Sequence, residues 1–199
     1  MLKVGLTGSI AVGKTFVVSV FRELGCSTFD ADQVAHSVME PGRDAYNDVV
    51  REFGPDVLAD DGSIDRKKLG AIVFRDSERR RRLNELVHPR VIVEQNRLLA
   101  EAERADPDGI AIVDAALMIE SGGYKRFDKL IVVFCDRETQ IERLMKRNNL
   151  TREEATIRVA AQMSSDEKRR YADFEINTSG SQEQTRELVI ELHKKLQEG

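Results

Sequence analysis

Eight residues, Gly8-Ser9-Ile10-Ala11-Val12-Gly13-Lys14-Thr15, have the types and the spacing to hold a phosphate group. They fit the pattern G-x-x-x-x-G-K-[ST], in which successive backbone N–H groups turn inward around an anion and open into a helix N-terminus. Gly8 and Gly13 permit torsions and close approaches that a Cβ would obstruct. Lys14 is expected to reach the β and γ phosphates of a nucleotide, and the Thr15 hydroxyl to ligate Mg²⁺. From these residues the chain is read as binding a nucleoside triphosphate.

Acidic residues follow where phosphoryl transfer needs them. Asp30-Ala31-Asp32 closes a short strand candidate, and an open parallel sheet binds ligands beyond its strands' C-terminal ends. One carboxylate accepting a proton from a substrate hydroxyl is one reading; a helix N-cap is the other, and with two aspartates both hold. The apolar run Ile110-Ala111-Ile112-Val113 ends in Asp114, which pairs naturally with Thr15 around Mg²⁺. Glu120 is a second acid near the same place. Gln140, Arg143 and Arg147 share one helical stripe, and a second helix opened by the capping box Thr151-Arg152-Glu153-Glu154 carries Arg158 and Gln162. Arginines over a triphosphate hold negative charge while the phosphoryl group moves, so this pair reads as a lid rather than a solvated hairpin.

The elements that must position these groups alternate as strand and helix. Lys3–Thr7 is an apolar strand, and Phe16–Leu24 has helical periodicity through Val17, Val20, Phe21 and Leu24. Leu130–Phe134 is another continuous apolar run, as in a parallel strand covered on both faces. Ala172–Asn177 is a last strand leading into a loop at Thr178–Ser181, and Gln182–Gln197 is an amphipathic helix through Leu188, Val189, Leu192 and Leu196. Residues 41–105 break the alternation with helical segments at Asp44–Phe53, Arg66–Phe74, Ser77–Leu86 and Arg90–Ala105. His88-Pro89 is expected to break and restart a helix, which makes His88 a packed or capping residue. The run Arg79–Arg82 points in four directions on a helix and reads as a solvated face. The expected fold is therefore α/β: a five-stranded parallel P-loop core (1–40, 106–136 and 172–199) with a helical substrate-binding insertion (41–105) and a helical lid (137–171).

Composition narrows the function. The 199 residues suit one α/β domain with insertions, and a net charge of -4 provides no basic field for nucleic acid. No leader or membrane-spanning run is apparent, so a cytoplasmic protein without a membrane partner is expected. Cys26 and Cys135 read as free thiols, and His36 and His193 stand alone, suggesting no metal site.

Taken together, these motifs resemble those of the dephospho-CoA kinase family, from Val4 to about Ser181. The resemblance is carried by Gly5-Leu6-Thr7-Gly8 leading into the phosphate loop, Phe29-Asp30-Ala31-Asp32, His88-Pro89, Gln140 with Arg143-Leu144 and Arg147, Arg158 with Gln162, and Ala172-Asp173 before Ile176-Asn177. It implies transfer of a phosphoryl group from ATP, with Mg²⁺, to the ribose 3′-hydroxyl of dephospho-CoA as small-molecule substrate, giving CoA and ADP. It further implies Asp32 as the base, Lys14 and Thr15 on phosphates and Mg²⁺, Arg143 and Arg147 in the lid set, and the Asn177–Gly180 loop against adenine. Ser9, Ala11 and Val12 stand where the family usually has glycines and serine, which predicts a stiffer loop. Ala115–Ile119 lacks the proline and aromatic usual after Asp114. The residues alone also leave open another small alcohol or nucleoside monophosphate as acceptor, or a switch that binds nucleotide without a second substrate. No Asn-Lys-x-Asp segment points to guanine.

Overall fold

The computed structural model describes residues 1–198. Its elements run β1 (Leu2–Thr7), α1 (Lys14–Glu23), β2 (Ser27–Asp30), α2 (Ala31–Ser37), α3 (Asp44–Phe53), α4 (Arg66–Arg75), α5 (Ser77–Ala105), β3 (Ile110–Asp114), β4 (Lys129–Phe134), α6 (Arg137–Asn148), α7 (Arg152–Ala160), α8 (Ser165–Arg169), β5 (Phe174–Asn177) and α9 (Gln182–Glu198). The strands form one five-stranded parallel sheet in the order β2-β3-β1-β4-β5, the α/β core expected from the apolar runs. The central strand β1 carries the phosphate loop at its C-terminal end. Leu2–Leu6 pairs with Ile110–Asp114 on one side and Val4–Thr7 with Lys129–Val132 on the other. The Asp173 carboxylate accepts the Leu130 N–H at 2.7 Å, fixing the entry to β5 against β4.

The chain divides into two compact units, Met1–Phe29 with Ala102–Gly199, and Asp30–Glu101. In the first, Val4, Leu6, Ile112, Ile131 and Val133 from the sheet pack with Val17, Val20 and Phe21 of α1 and with Val189, Leu192 and Leu196 of α9. Both faces of these strands are covered, which is why they read as continuous apolar runs. Leu188, expected on the packed side of α9, is 40% exposed. Cys26 and Cys135 are buried free thiols.

The second unit has its own core, built from Val34, Val38, Ala45, Val49, Phe53, Val57, Leu69 and Val87. Here the structure corrects the expected break at His88-Pro89: α5 runs unbroken from Ser77 to Ala105 with Pro89 inside it. A mid-helix proline forfeits one backbone hydrogen bond and costs about 3 kcal/mol. Burial of Val87 with packing of Leu83, Leu86, Val91 and Leu98 on both sides of Pro89 offsets that loss. His88 is accordingly neither packed nor a cap; it is exposed on an open groove with Ser77, Arg80 and Asn84. Arg81 and Arg82 pair with Glu78, Glu85 and Glu52 on the surface, as a solvated face requires, whereas Arg79 is half-buried, paired with Glu52 and lying over the Phe53 ring.

One further correction concerns α7, and α6 opens without a side-chain cap. Asp136 sits at the N-cap of α6, but its side chain makes no capping bond. Its backbone N–H instead donates to Ser179 Oγ at 2.9 Å. The capping box at Thr151 and Glu154 does open α7, yet that helix ends at Ala160, so Gln162 lies beyond it and not one turn from Arg158. A short helix, α8, follows from a second capping box at Ser164 and Glu167.

Candidate functional site

The loop between β1 and α1 is built by two glycines with different roles. Gly13 is the N-cap of α1 at φ 89° and ψ 18°, a left-handed turn that a side chain rarely adopts. No side chain caps this helix. The N–H groups of Lys14 and Thr15 precede the first intrahelical bond, from Phe16 to the Gly13 carbonyl, at the positive end of the helix dipole. Gly8 serves by close approach: a Cβ there would lie 2.4 Å from the Val133 carbonyl oxygen and 2.8 Å from Val12 Cγ2. Ala11 also adopts a positive φ, 61°, so the alanine in this loop holds a turn that glycine would take without strain.

The loop is braced from several sides. Gln140 Nε2 donates to the Ile10 carbonyl at 2.7 Å, and Gln162 Oε1 accepts the Ile10 N–H at 2.7 Å. Ser9 Oγ donates to the Met163 carbonyl at 2.8 Å. The side chains of Ile10 and Ala11 pack against Ile141, Leu144, Ala155 and Val159, the core of the α6–α7 pair. Thr178, buried at the end of β5, donates from Oγ1 to the Val12 carbonyl at 2.6 Å and receives Arg143 Nη1 at 3.1 Å. Arg143 Nη2 donates to the Thr178 carbonyl at 2.7 Å.

A cavity of about 230 Å³ is lined by Ser9, Ala11, Val12, Gly13, Lys14, Thr15, Arg143 and Arg147. Three cationic side chains and the exposed Thr15 hydroxyl thus meet at the free N-terminus of α1, an arrangement made for a multiply charged anion. Lys14 Nζ rests on the Gly8 carbonyl at 3.2 Å. Arg147 is exposed, its Nε on Asn148 Oδ1 at 2.9 Å. Of the other anticipated residues, Gly8 and Ile10 do not line the cavity. Asp114 ends β3 in register with Leu6. Asn177 is exposed at the end of β5, its Oδ1 accepting the Ser179 N–H at 2.9 Å. Arg158 is exposed on α7.

In the second unit the aspartates that end β2 and open α2 divide their roles. Asp30 is the N-cap of α2, its Oδ1 accepting the N–H groups of Asp32 at 2.8 Å and Gln33 at 3.2 Å. Asp32 follows in the first turn, exposed, with its own carboxylate outside the cap.

Sequence reasoning missed Lys168 and the bridging role of Thr178. Lys168 is completely buried, and its Nζ contacts both Glu120 oxygens at 2.8 Å and the Ala116 carbonyl at 2.9 Å. Burial pushes the pKa of its ammonium down, Glu120 pulls it back up, and the charge of Lys14 lowers it further. The run Asp166-Glu167-Lys168-Arg169-Arg170 looks solvated throughout, so no local signal distinguishes the one lysine that turns inward.

This sheet order, with a glycine-bounded loop on the central strand opening into a helix under lysine and arginine, defines a P-loop kinase. A shikimate kinase from Acinetobacter baumannii shares the fold, with a TM-score of 0.53 at 14% identity over 98% of this chain and 93% of that one. The family model described as dephospho-CoA kinase matches residues 2–184, and the chain belongs to that family. It is 45% identical to a dephospho-CoA kinase of Geobacillus kaustophilus over 97% of this chain and 96% of the relative. Among solved structures, a dephospho-CoA kinase from Campylobacter jejuni gives a TM-score of 0.67 at 25% identity, covering 99% and 98% of the two chains. A Thermus thermophilus protein gives 0.80 at 31% identity, covering 97% of each.

Proposed function

We propose that the chain transfers the γ-phosphoryl group of ATP to the ribose 3′-hydroxyl of dephospho-CoA, giving CoA and ADP. The observation that carries the reading is the convergence of Lys14, Arg143 and Arg147 on the uncapped N-terminus of α1. The acceptor is taken from the family to which the chain belongs.

In this reading the N–H groups of Gly13, Lys14 and Thr15 hold the β-phosphate, and Lys14 exchanges the Gly8 carbonyl for phosphate oxygens. Arg143, fixed by its two bonds to Thr178, keeps its guanidinium beside Gly13 and balances charge that develops on the departing ADP. The Asn177–Gly180 loop lies against adenine. Asp32 accepts the proton of the 3′-hydroxyl as its oxygen bonds to the γ-phosphorus and the bond from that phosphorus to the β,γ-bridging oxygen breaks. Residues 41–105 hold the CoA end of the acceptor, and 137–171 act as the lid.

Mg²⁺ fits the residues present. Among the described residues no three His, Cys, Asp or Glu side chains cluster to hold a metal by themselves. In this reading Thr15 and Asp114 would share the ion with phosphate oxygens and water. When bound, Mg²⁺ neutralises phosphate charge and fixes its geometry. Among the described residues no helix is long and apolar enough to cross a membrane. A cytoplasmic setting belongs to the same proposal and is supported by two buried free thiols.

The deciding experiment measures ADP release from ATP and Mg²⁺ with and without dephospho-CoA, and identifies the product by mass. Release that requires dephospho-CoA, with CoA formed, supports the proposal. ATP binding without any phosphate gained by dephospho-CoA overturns the acceptor.

A further inference from the structure

Lys168 is the one charged side chain that is fully buried among the described residues, and its three ammonium protons face three acceptors. Two of these are the oxygens of Glu120, and the third is the carbonyl of Ala116. Both partners belong to the turn that leaves the C-terminal end of β3 directly after Asp114, the edge of the sheet where ligands bind. Thr7 Oγ1 holds the start of the same turn, donating to the Ala115 carbonyl at 2.7 Å and the Ala116 carbonyl at 3.2 Å.

The stretch that delivers Lys168 also grips the phosphate loop. Gln162 accepts from the Ile10 N–H and the Met163 carbonyl accepts from Ser9 Oγ, six and five residues before the lysine. One short segment, 162–168, therefore fastens the phosphate loop at one end and the turn after β3 at the other. A buried ammonium is a costly way to make such a link, because an apolar pair of the same volume holds a fold at least as well. What the ammonium adds is direction, through three hydrogen bonds, and neutralisation of the Glu120 carboxylate beside a site that must accept a triphosphate.

We infer that Lys168 is a positioning residue for phosphoryl transfer, setting the turn Ala115–Glu120 and the phosphate loop in register with each other. The inference rests on the kinase reading above. It assigns to Lys168 no contact with substrate; the lysine acts through Glu120 and the Ala116 carbonyl.

The test separates register from mere stability. Lys168→Met alone would leave Glu120 without its partner, so the informative protein is Lys168→Met/Glu120→Met, which removes both charges. It is expected to melt near the parent and to bind ATP with Mg²⁺ within about threefold by calorimetry, while kcat falls on the order of 100-fold, the effect of a misplaced reacting group. Turnover within about threefold of the parent overturns the inference, as does loss of ATP affinity in step with turnover. If the double variant does not fold, Glu120→Gln decides. It spares the bond from Lys168 to Ala116 and keeps one neutral acceptor oxygen while losing the other, and is expected to lower kcat about tenfold at unchanged ATP affinity. An unchanged kcat there overturns the inference. Failure of the kinase reading itself is distinguishable, because the parent protein then phosphorylates no dephospho-CoA.

Discussion

Gln140 and Ile10 are joined by a hydrogen bond of 2.7 Å from the glutamine amide to the loop carbonyl, while Gln162 takes the N–H of the same residue. One residue of the phosphate loop is thus held by both of its backbone groups from outside the loop. Replacing Gln140 with Leu removes the donor and leaves the carbonyl to find water, a loss of about 1 kcal/mol. The expected result is ATP affinity weakened about fivefold by calorimetry, with a small drop in melting temperature. Adding Gln162→Leu should give less than the sum, since both act on one residue. Unchanged affinity in both variants would show that the loop keeps its shape unaided.

The aspartates that end β2 and open α2 can be told apart by amide substitution. Asp30→Asn keeps an oxygen for the N–H groups of Asp32 and Gln33, and asparagine caps as well as aspartate, so turnover and stability should stay near the parent. Asp32→Asn removes a proton acceptor, and kcat should fall about a hundredfold or more while ATP affinity holds. Near-normal turnover in Asp32→Asn would take the base role from it.

Alanine at the two loop glycines should fail for different reasons. At Gly8 the new Cβ meets the Val133 carbonyl, a backbone atom that cannot rotate away, and the expected loss is about 1–3 kcal/mol. At Gly13 there is room, with the nearest atom 3.5 Å away, but the left-handed torsion costs about 1–2 kcal/mol. Denaturant unfolding should show both variants destabilised, Gly8→Ala the more, and calorimetry should show Gly13→Ala with the larger change in nucleotide affinity. The reverse pattern would exchange their roles.

Alkaline pH should destabilise the fold through Cys26. Burial pushes this thiol up to about 11 from 9.0. Unfolded chains lose the proton near 9.0 while the folded state keeps it, so the stabilising contribution is complete below pH 9 and is lost as pH rises towards 11. Two pH units correspond to about 3 kcal/mol. Unfolding free energies at about pH 8 and about pH 10.5 should differ less in Cys26→Ala than in the parent. An identical difference would assign the alkaline slope to other groups.

The chain made its sheet legible because β1, β3 and β4 are covered on both faces, and only continuous apolar runs satisfy that. The phosphate loop was legible because Gly13 and Lys14 are demanded by backbone torsion and charge at fixed spacing. Proline's local rule misled at Pro89, where packing of Val87 and its neighbours outweighs one lost hydrogen bond. The spacing of Gln162 from Arg158 fits one helical turn, but Ser164 and Glu167 start a new helix just beyond it. Lys168 was invisible for a deeper reason: its partners Ala116 and Glu120 lie about fifty residues away, and nothing local announces a lysine that turns inward.

The central place of β1 has a consequence for synthesis. Its neighbours are Ile110–Asp114 and Lys129–Val132, and the hydroxyl that fixes the Val12 carbonyl belongs to Thr178. The phosphate loop is translated long before any of these partners exists. Asp30–Glu101, by contrast, is one contiguous stretch with its own core and can condense while the ribosome is still extending the chain. Nascent chains that stop short of Thr178 therefore carry the whole phosphate-loop motif without the hydroxyl that braces its Val12 carbonyl.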